Sequence, residues 1–91
     1  MIIEFGPVKS ERNARTRDLP FDRAAELDWE TAIYWEDTRG AYGESRFVAL
    51  GYLDTRLHVV CFTHMPVGVR IISFRKANSR EIRRYENEAA D

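Results

Sequence analysis

Hydrophobic and polar positions change rhythm once along the chain. From residue 31 onward, short runs rich in β-branched and aromatic residues recur, each closed by turn-forming residues: TAIYWED (31–37), SRFVALGYL (45–53), RLHVVCFTH (56–64) and VRIISF (69–74). Such runs predict strands. TRGAYGE, Asp54-Thr55 and MPVG join them as a loop and two turns. The last run is apolar at both parities, which predicts a strand covered on both faces and central in the sheet. IIEF (2–5) predicts one more short strand.

Before residue 31 the pattern is helical. Gly6-Pro7 opens a helix with proline at its first position, where the missing N–H costs nothing. This helix runs through KSERNARTR and is polar almost all round, so it is expected on the surface. After the break at Leu19-Pro20, FDRAAEL (21–27) predicts a second helix with Phe21, Ala24 and Ala25 on one face. Asn78 and Glu81 have the spacing of a capping box at the start of a final helix. Ile82, Tyr85 and Ala89 follow at helical intervals and should pack on the sheet.

The predicted order is β-α-α-β-β-β-β-α. It describes an α+β fold: an antiparallel sheet of four to five strands, two N-terminal helices and one C-terminal helix. Residues 1–91 leave room for one hydrophobic core and are expected to form a single domain. No apolar run approaches the roughly 18 residues of a membrane span. MIIEFGPVK carries an early Glu4 and has neither the layout of a signal peptide nor that of a transit peptide. A cytoplasmic protein without membrane contact is expected.

Net charge is −1, but it is unevenly spread. Residues 1–45 hold six cations and ten anions, whereas residues 46–85 hold eight cations and two anions. Twelve of the fourteen cations are arginine. The planar guanidinium fork suits phosphate, and the same bias follows from a GC-rich genome. Cys61 is the only cysteine and reads as a small core hydrophobe. His58 and His64, three residues to either side, would lie on the other face of the strand, and they form no zinc motif. No metal site or cofactor is expected.

What remains as candidate chemistry is a charged set at strand ends and on the last helix. Glu44 and Arg46 precede the second long strand, Arg70 opens the last one, and Arg75 and Lys76 close it. Arg80, Glu81, Arg83, Arg84 and Tyr85 lie on the final helix. Such groups can cleave RNA without a metal by moving the 2′-hydroxyl proton, protonating the leaving oxygen and stabilising charge on phosphorus. Each also has a structural reading. Glu81 serves as a helix cap, Tyr85 as a core anchor, and Arg83 and Arg84 as a solvated face with Glu88 four residues on. Arg70 needs a partner, for which Glu44 is available. Arg70 and Arg75 fall on opposite faces of a regular strand and share one only if a bulge intervenes.

The run Arg70, Ile71, Ile72, Ser73, Arg75, Lys76, Ala77, then Glu81 and Tyr85, resembles the BrnT toxin family of bacterial type II toxin–antitoxin pairs. Glu44, Arg46 and Gly51 match its middle section, and Phe5, Pro7, Lys9, Asn13 and Phe21 match its start. The resemblance implies a RelE-like fold and a metal-independent endoribonuclease that arrests growth. It implies Arg70, Arg75, Lys76, Glu81, Tyr85 and Glu44 as the catalytic set, with Arg46, Arg80, Arg83 and Arg17 holding RNA. It also implies a BrnA-like ribbon-helix-helix antitoxin as partner, contact with operator DNA only through that antitoxin, and a homodimer within the complex.

The chain departs from the family where the first helix ends. The family's Lys-His-Gly is Thr16, Arg17 and Asp18 here. Asp tolerates the left-handed conformation that the glycine suits. Arg cannot replace a histidine as a proton donor near neutral pH. The alternative reading is therefore a binding module that pairs with an antitoxin and regulates transcription without cutting RNA. Tyr34, Trp35 and Tyr42 would suit an interface core or base stacking.

Overall fold

The alternation read over residues 31–76 becomes an antiparallel meander of four strands. A computed structural model describes residues 1–89. The elements in chain order are β1 (Ile3–Glu4), α1 (Pro7–Arg17), a 3-10 helix (Phe21–Glu26), β2 (Ile33–Asp37), β3 (Arg46–Leu53), β4 (Arg56–His64), β5 (Val69–Lys76) and α2 (Ser79–Ala89). The sheet order is β1-β5-β4-β3-β2.

The sheet is mixed rather than wholly antiparallel, because β1 runs parallel to β5, with Ile3 opposite Val69 and Glu4 opposite Arg70. A parallel neighbour needs a crossover, and the chain from α1 through β4 supplies it. The central strand is β4, not β5, and it is buried at most positions on both faces. The apolar residues of β5 at both parities have another cause. Cys61 faces Ser73 while Phe62 faces Ile71, so Ile72 is an unpaired bulge residue. The extra residue inverts the alternation. Ile71 and Phe74 therefore both enter one core, and Arg70 and Arg75 fall on the opposite face together.

Each face of the sheet carries its own core. On one, Val60, Phe62, Ile71 and Phe74 pack with Leu19, Phe21, Ala24 and Leu27. On the other, Val48, Leu50, Leu57 and Val59 pack with Ala77 and Tyr85, and with the partly buried Ile82 of α2. Phe74 is 1 % exposed, and its truncation to Ala is expected to cost about 3–5 kcal/mol in a urea titration. Ala89 is exposed and stays outside this core.

The second helix takes the 3-10 form, and this decides which side chains it buries. With three residues per turn, Phe21, Ala24 and Leu27 line up inward and Ala25 turns to solvent. The Trp29 indole N–H donates to Ala24 O at 2.9 Å and helps close the segment. At the end of α1, Asp18 adopts φ 56° and ψ 35°. Its N–H donates to Ala14 O at 3.0 Å, the bond of an αL cap, and the Leu19 N–H donates to Asn13 O at 3.4 Å. Gly68 closes the β4–β5 turn at φ +85°, where a Cβ would stand 2.0 Å from Ile2 O. Only glycine lets β1 approach this closely. No helix of the described residues is long and apolar enough to cross a membrane.

Candidate functional site

Two concave surfaces flank β5 and share Ile72, Ser73 and Arg75 as a common wall. Both depend on β1 being short. It covers β5 only as far as Arg70, which leaves the rest of that strand's edge to side chains. From α1, Lys9 Nζ donates to Ile72 O at 2.9 Å and Asn13 Nδ2 donates to Phe74 O at 2.9 Å. Ser10, buried beneath them, accepts the Phe21 N–H at 2.8 Å and holds the helix in register.

The first surface is a groove of 440 Å³ between α1 and β5. Lys9, Arg12, Arg17 and Arg75 line it, and no carboxylate does so among the described residues. Lys9, Arg12, Asn13, Thr16 and Arg17 repeat at i, i+3, i+4, i+7 and i+8, a polar stripe along one face of the helix. Lys9, Arg12 and Arg17 make no ion pair among the described residues, and three such cations on one wall form an anion-attracting field. An RNA backbone phosphate fits this chemistry.

The second surface is a cleft of 560 Å³ on the α2 side. Val48, Val59 and Cys61 form its apolar floor, and polar groups ring it. Arg75 makes a two-pronged pair with Glu81, Nη1 to Oε1 at 2.8 Å and Nη2 to Oε2 at 2.9 Å. Glu81 Oε1 also accepts the Asn78 N–H at 2.8 Å, while Asn78 Oδ1 accepts the Glu81 N–H at 2.9 Å. The predicted capping box is thus present, and its acid additionally clamps β5. The Arg75 hydrogen bonds hold the Glu81 carboxyl below the usual carboxylate range, and Glu81 in turn raises Arg75. A carboxylate so held is an acceptor and orienting group before it is a base.

Across the cleft, Asp37 is 6 % exposed. It accepts Arg39 Nε at 2.8 Å, Arg39 Nη2 at 2.9 Å and the Tyr42 hydroxyl at 3.3 Å. These bonds, Arg39's first, hold its carboxyl well below the usual range. Arg46 lies directly opposite Asp37 in the β2–β3 register but finds that acid already occupied. Its Cζ sits 4.1 Å from the centroid of the Tyr42 ring. Its Nε is buried and meets no hydrogen-bond acceptor among the described residues, with Glu44 Oε1 standing 3.7 Å away.

The expected catalytic residues do not gather in one place. Arg75 and Glu81 are together, with Arg46 on the same cleft. Lys76 follows Arg75 but points to the opposite face, opposite His58 and beside Arg17 and Asp18. Arg70 shares the face of Arg75, as the bulge requires, yet it pairs with Glu4 rather than Glu44. The parallel register that sets Glu4 beside Arg70 explains the choice. Tyr85 is a core anchor. It is 9 % exposed, stands edge-on to Tyr52 at 5.4 Å, and donates its hydroxyl to Thr31 O at 3.2 Å. Glu44 is exposed on the loop before β3. Arg80 and Arg83 are solvent-exposed, and Arg84 pairs with Glu88 at 3.1 Å while its Cζ covers Trp35 at 3.8 Å.

Sequence reasoning passed over Lys9 and Arg12 as binding residues, and Asp37 and Arg39 entirely. The helical repeat of cations on α1 was the available signal for the first pair. The Asp-x-Arg spacing where a strand leaves the sheet was the signal for the second. Cys61 lies on the cleft floor, half-buried, and burial pushes its thiol up, away from reactivity. His58 is on the other face as expected, buried against Phe74, and burial lowers its pKa.

Residues 5–81 match the family model described as "Ribonuclease toxin, BrnT, of type II toxin-antitoxin system". No curated protein matches the chain.

Proposed function

The chain belongs to the BrnT family of ribonuclease toxins from type II toxin–antitoxin systems, and from that premise we propose that it is a metal-independent endoribonuclease that arrests growth by cutting RNA. The observation that carries this reading is the acid-free groove of Lys9, Arg12, Arg17 and Arg75. Lys9, Arg12 and Arg17 hold the strand by its phosphates. Arg75, whose guanidinium Glu81 aims, stabilises the charge that develops on the phosphoryl oxygens. A type II family implies an antitoxin partner. We assign that role to a BrnA-like ribbon-helix-helix protein that covers the groove with acidic surface, pairs with a RelE-like toxin domain spanning residues 1–91, and alone contacts operator DNA. A second copy of the pair joins through the antitoxin, and the complex acts in the cytoplasm.

One observation favours a second reading. Arg17 lies on the groove wall at the position where the family has histidine. A guanidinium there strengthens anion binding but transfers no proton near neutral pH. Binding without cleavage is the result.

Controlled induction in bacteria separates the two. Growth and RNA integrity are followed for the parent and for Arg75→Ala, with the fold of each checked by circular dichroism. Arrest with fragmented RNA in the parent alone supports the nuclease. Arrest that persists in Arg75→Ala refutes its role. Normal growth with RNA retained by the folded parent on a filter supports the binding module.

A further inference from the structure

The α2-side cleft differs in chemistry from the groove across β5, and its residues fit a different part of the substrate. Three carboxylate residues line it: Asp37 is saturated by Arg39 and Tyr42, Glu81 by Arg75 and the Asn78 N–H, and Glu36 is exposed to solvent. The unspent capacity belongs to Arg46, whose Nε is buried without an acceptor. A buried donor left unpaired is costly, and native proteins rarely keep one unless something pairs with it. The group that pairs with Arg46 must offer an acceptor.

A phosphate fits poorly. It would enter beside Glu36, Asp37 and Glu81, whereas the neighbouring groove offers Lys9, Arg12 and Arg17 with no carboxylate among its described lining. A flat, uncharged ligand with acceptors fits better. Single-stranded RNA supplies such groups, because its unstacked bases lie against aromatic rings or guanidinium planes and pair through their edges. The cleft presents Arg46 over Tyr42, and the Trp35 ring also lines it. Its 560 Å³ lies within the roughly 300–1,000 Å³ of small-molecule sites. Because Ile72, Ser73 and Arg75 wall both surfaces, a strand with its phosphate in the groove can turn a base across them.

We propose that the cleft is a nucleobase subsite and that Arg46 selects guanine, whose O6 and N7 form an acceptor pair matched to a guanidinium fork. Cytosine and adenine place an exocyclic amino donor beside their ring-nitrogen acceptor, which Arg46 cannot accept. The inference rests on the RNA-cutting reading above and adds the base to it.

Two measurements test it separately from that reading. The first sequences the ends produced from a random RNA pool by the parent, Arg46→Ala and Arg46→Lys. The parent should favour guanine at one position beside the break by roughly tenfold or more. Arg46→Lys, which keeps the charge and loses the fork, should lose most of that preference while still cutting. Cleavage without base preference in the parent, or a guanine preference that survives in both variants, overturns the proposal and leaves the nuclease reading standing. The second follows the Arg46 Nε–H correlation by NMR during titration with guanosine or cytidine monophosphate, and needs no cleavage. A shift with the guanosine compound and none with the cytidine one supports the subsite even if RNA proves uncut. No shift with either, or equal shifts with both, overturns it.

Discussion

The groove beside α1 and the cleft beneath α2 share one strand segment and hold their cations in opposite ways. In the groove, Lys9, Arg12 and Arg17 project from a single helix face with no carboxylate on the walls. In the cleft, Arg39 and Arg75 are each locked two-pronged to an acid, and Arg46 stands beside Glu44 at 3.7 Å. An unpaired cation attracts whatever anion diffuses past, whereas a paired one is fixed in direction and loses most of its long-range field. The first arrangement suits capture of a polyanion, the second orientation and selection. Arg75 belongs to both, since it is held by Glu81 on one side and lines the groove on the other.

The comparison breaks most sharply at Arg75. Arg75→Ala should lower the RNA cleavage rate by on the order of 10²–10³-fold, while Lys76→Ala, on the other face, should change it far less. Equal losses in initial-rate assays would return the site to the strand end as a whole. Next comes the clamp. Glu81→Gln removes the charge from the Arg75 pair and weakens the cap, and should destabilise by about 1–2 kcal/mol in urea titrations at pH 7. The folded carboxyl lies below its ordinary value of 4.5. Its stabilisation is therefore complete above that value and lost as pH falls through the folded one. The gap between parent and Glu81→Gln should narrow as pH falls below 4.5. A gap independent of pH would mean the ion pair contributes little.

A smaller effect distinguishes capture from selection. Arg12→Ala with Arg17→Ala should reduce the slope of log affinity for single-stranded RNA against log salt by about 1.4, at about 0.7 for each phosphate no longer neutralised. Arg46→Ala should leave that slope nearly unchanged in the same filter-binding series. If Arg46 changes it as much, both surfaces bind phosphate and the contrast fails. The smallest effect lies at the end of α1. Asp18→Gly should stabilise by about 0.5–1 kcal/mol by relieving a left-handed non-glycine residue, read as a shift in the urea midpoint.

Much of the fold was legible because the apolar pattern carries it. The four meander strands, the proline-led first helix and the Asn78–Glu81 cap stand where the periodicity put them. The parallel pairing of β1 was not legible, since two residues carry no register signal and a turn at Gly68 brings them in. Nor was the bulge at Ile72, which imitates a doubly buried strand. The candidate site was legible only in part. Charge counted along the chain pointed to residues 70–86, yet Arg70, Arg84 and Arg75 spend that charge on Glu4, Glu88 and Glu81. The acid-free surface draws three of its cations from the half of the chain with a net negative charge. Sequence distance hid this, because helix α1 and strand β5 meet across more than sixty residues, as the Lys9 to Ile72 bond shows.

That same bond has a consequence for solubility. Beyond Arg70, β5 is an outer strand reading Ile-Ile-Ser-Phe, and such an edge invites a neighbouring chain to add its own strand. Lys9 and Asn13 occupy the carbonyls of Ile72 and Phe74 that an incoming strand would use. Loosening α1 would therefore dismantle the groove and uncover a template for self-association in one step, and Lys9 and Asn13 guard the protein against its own aggregation.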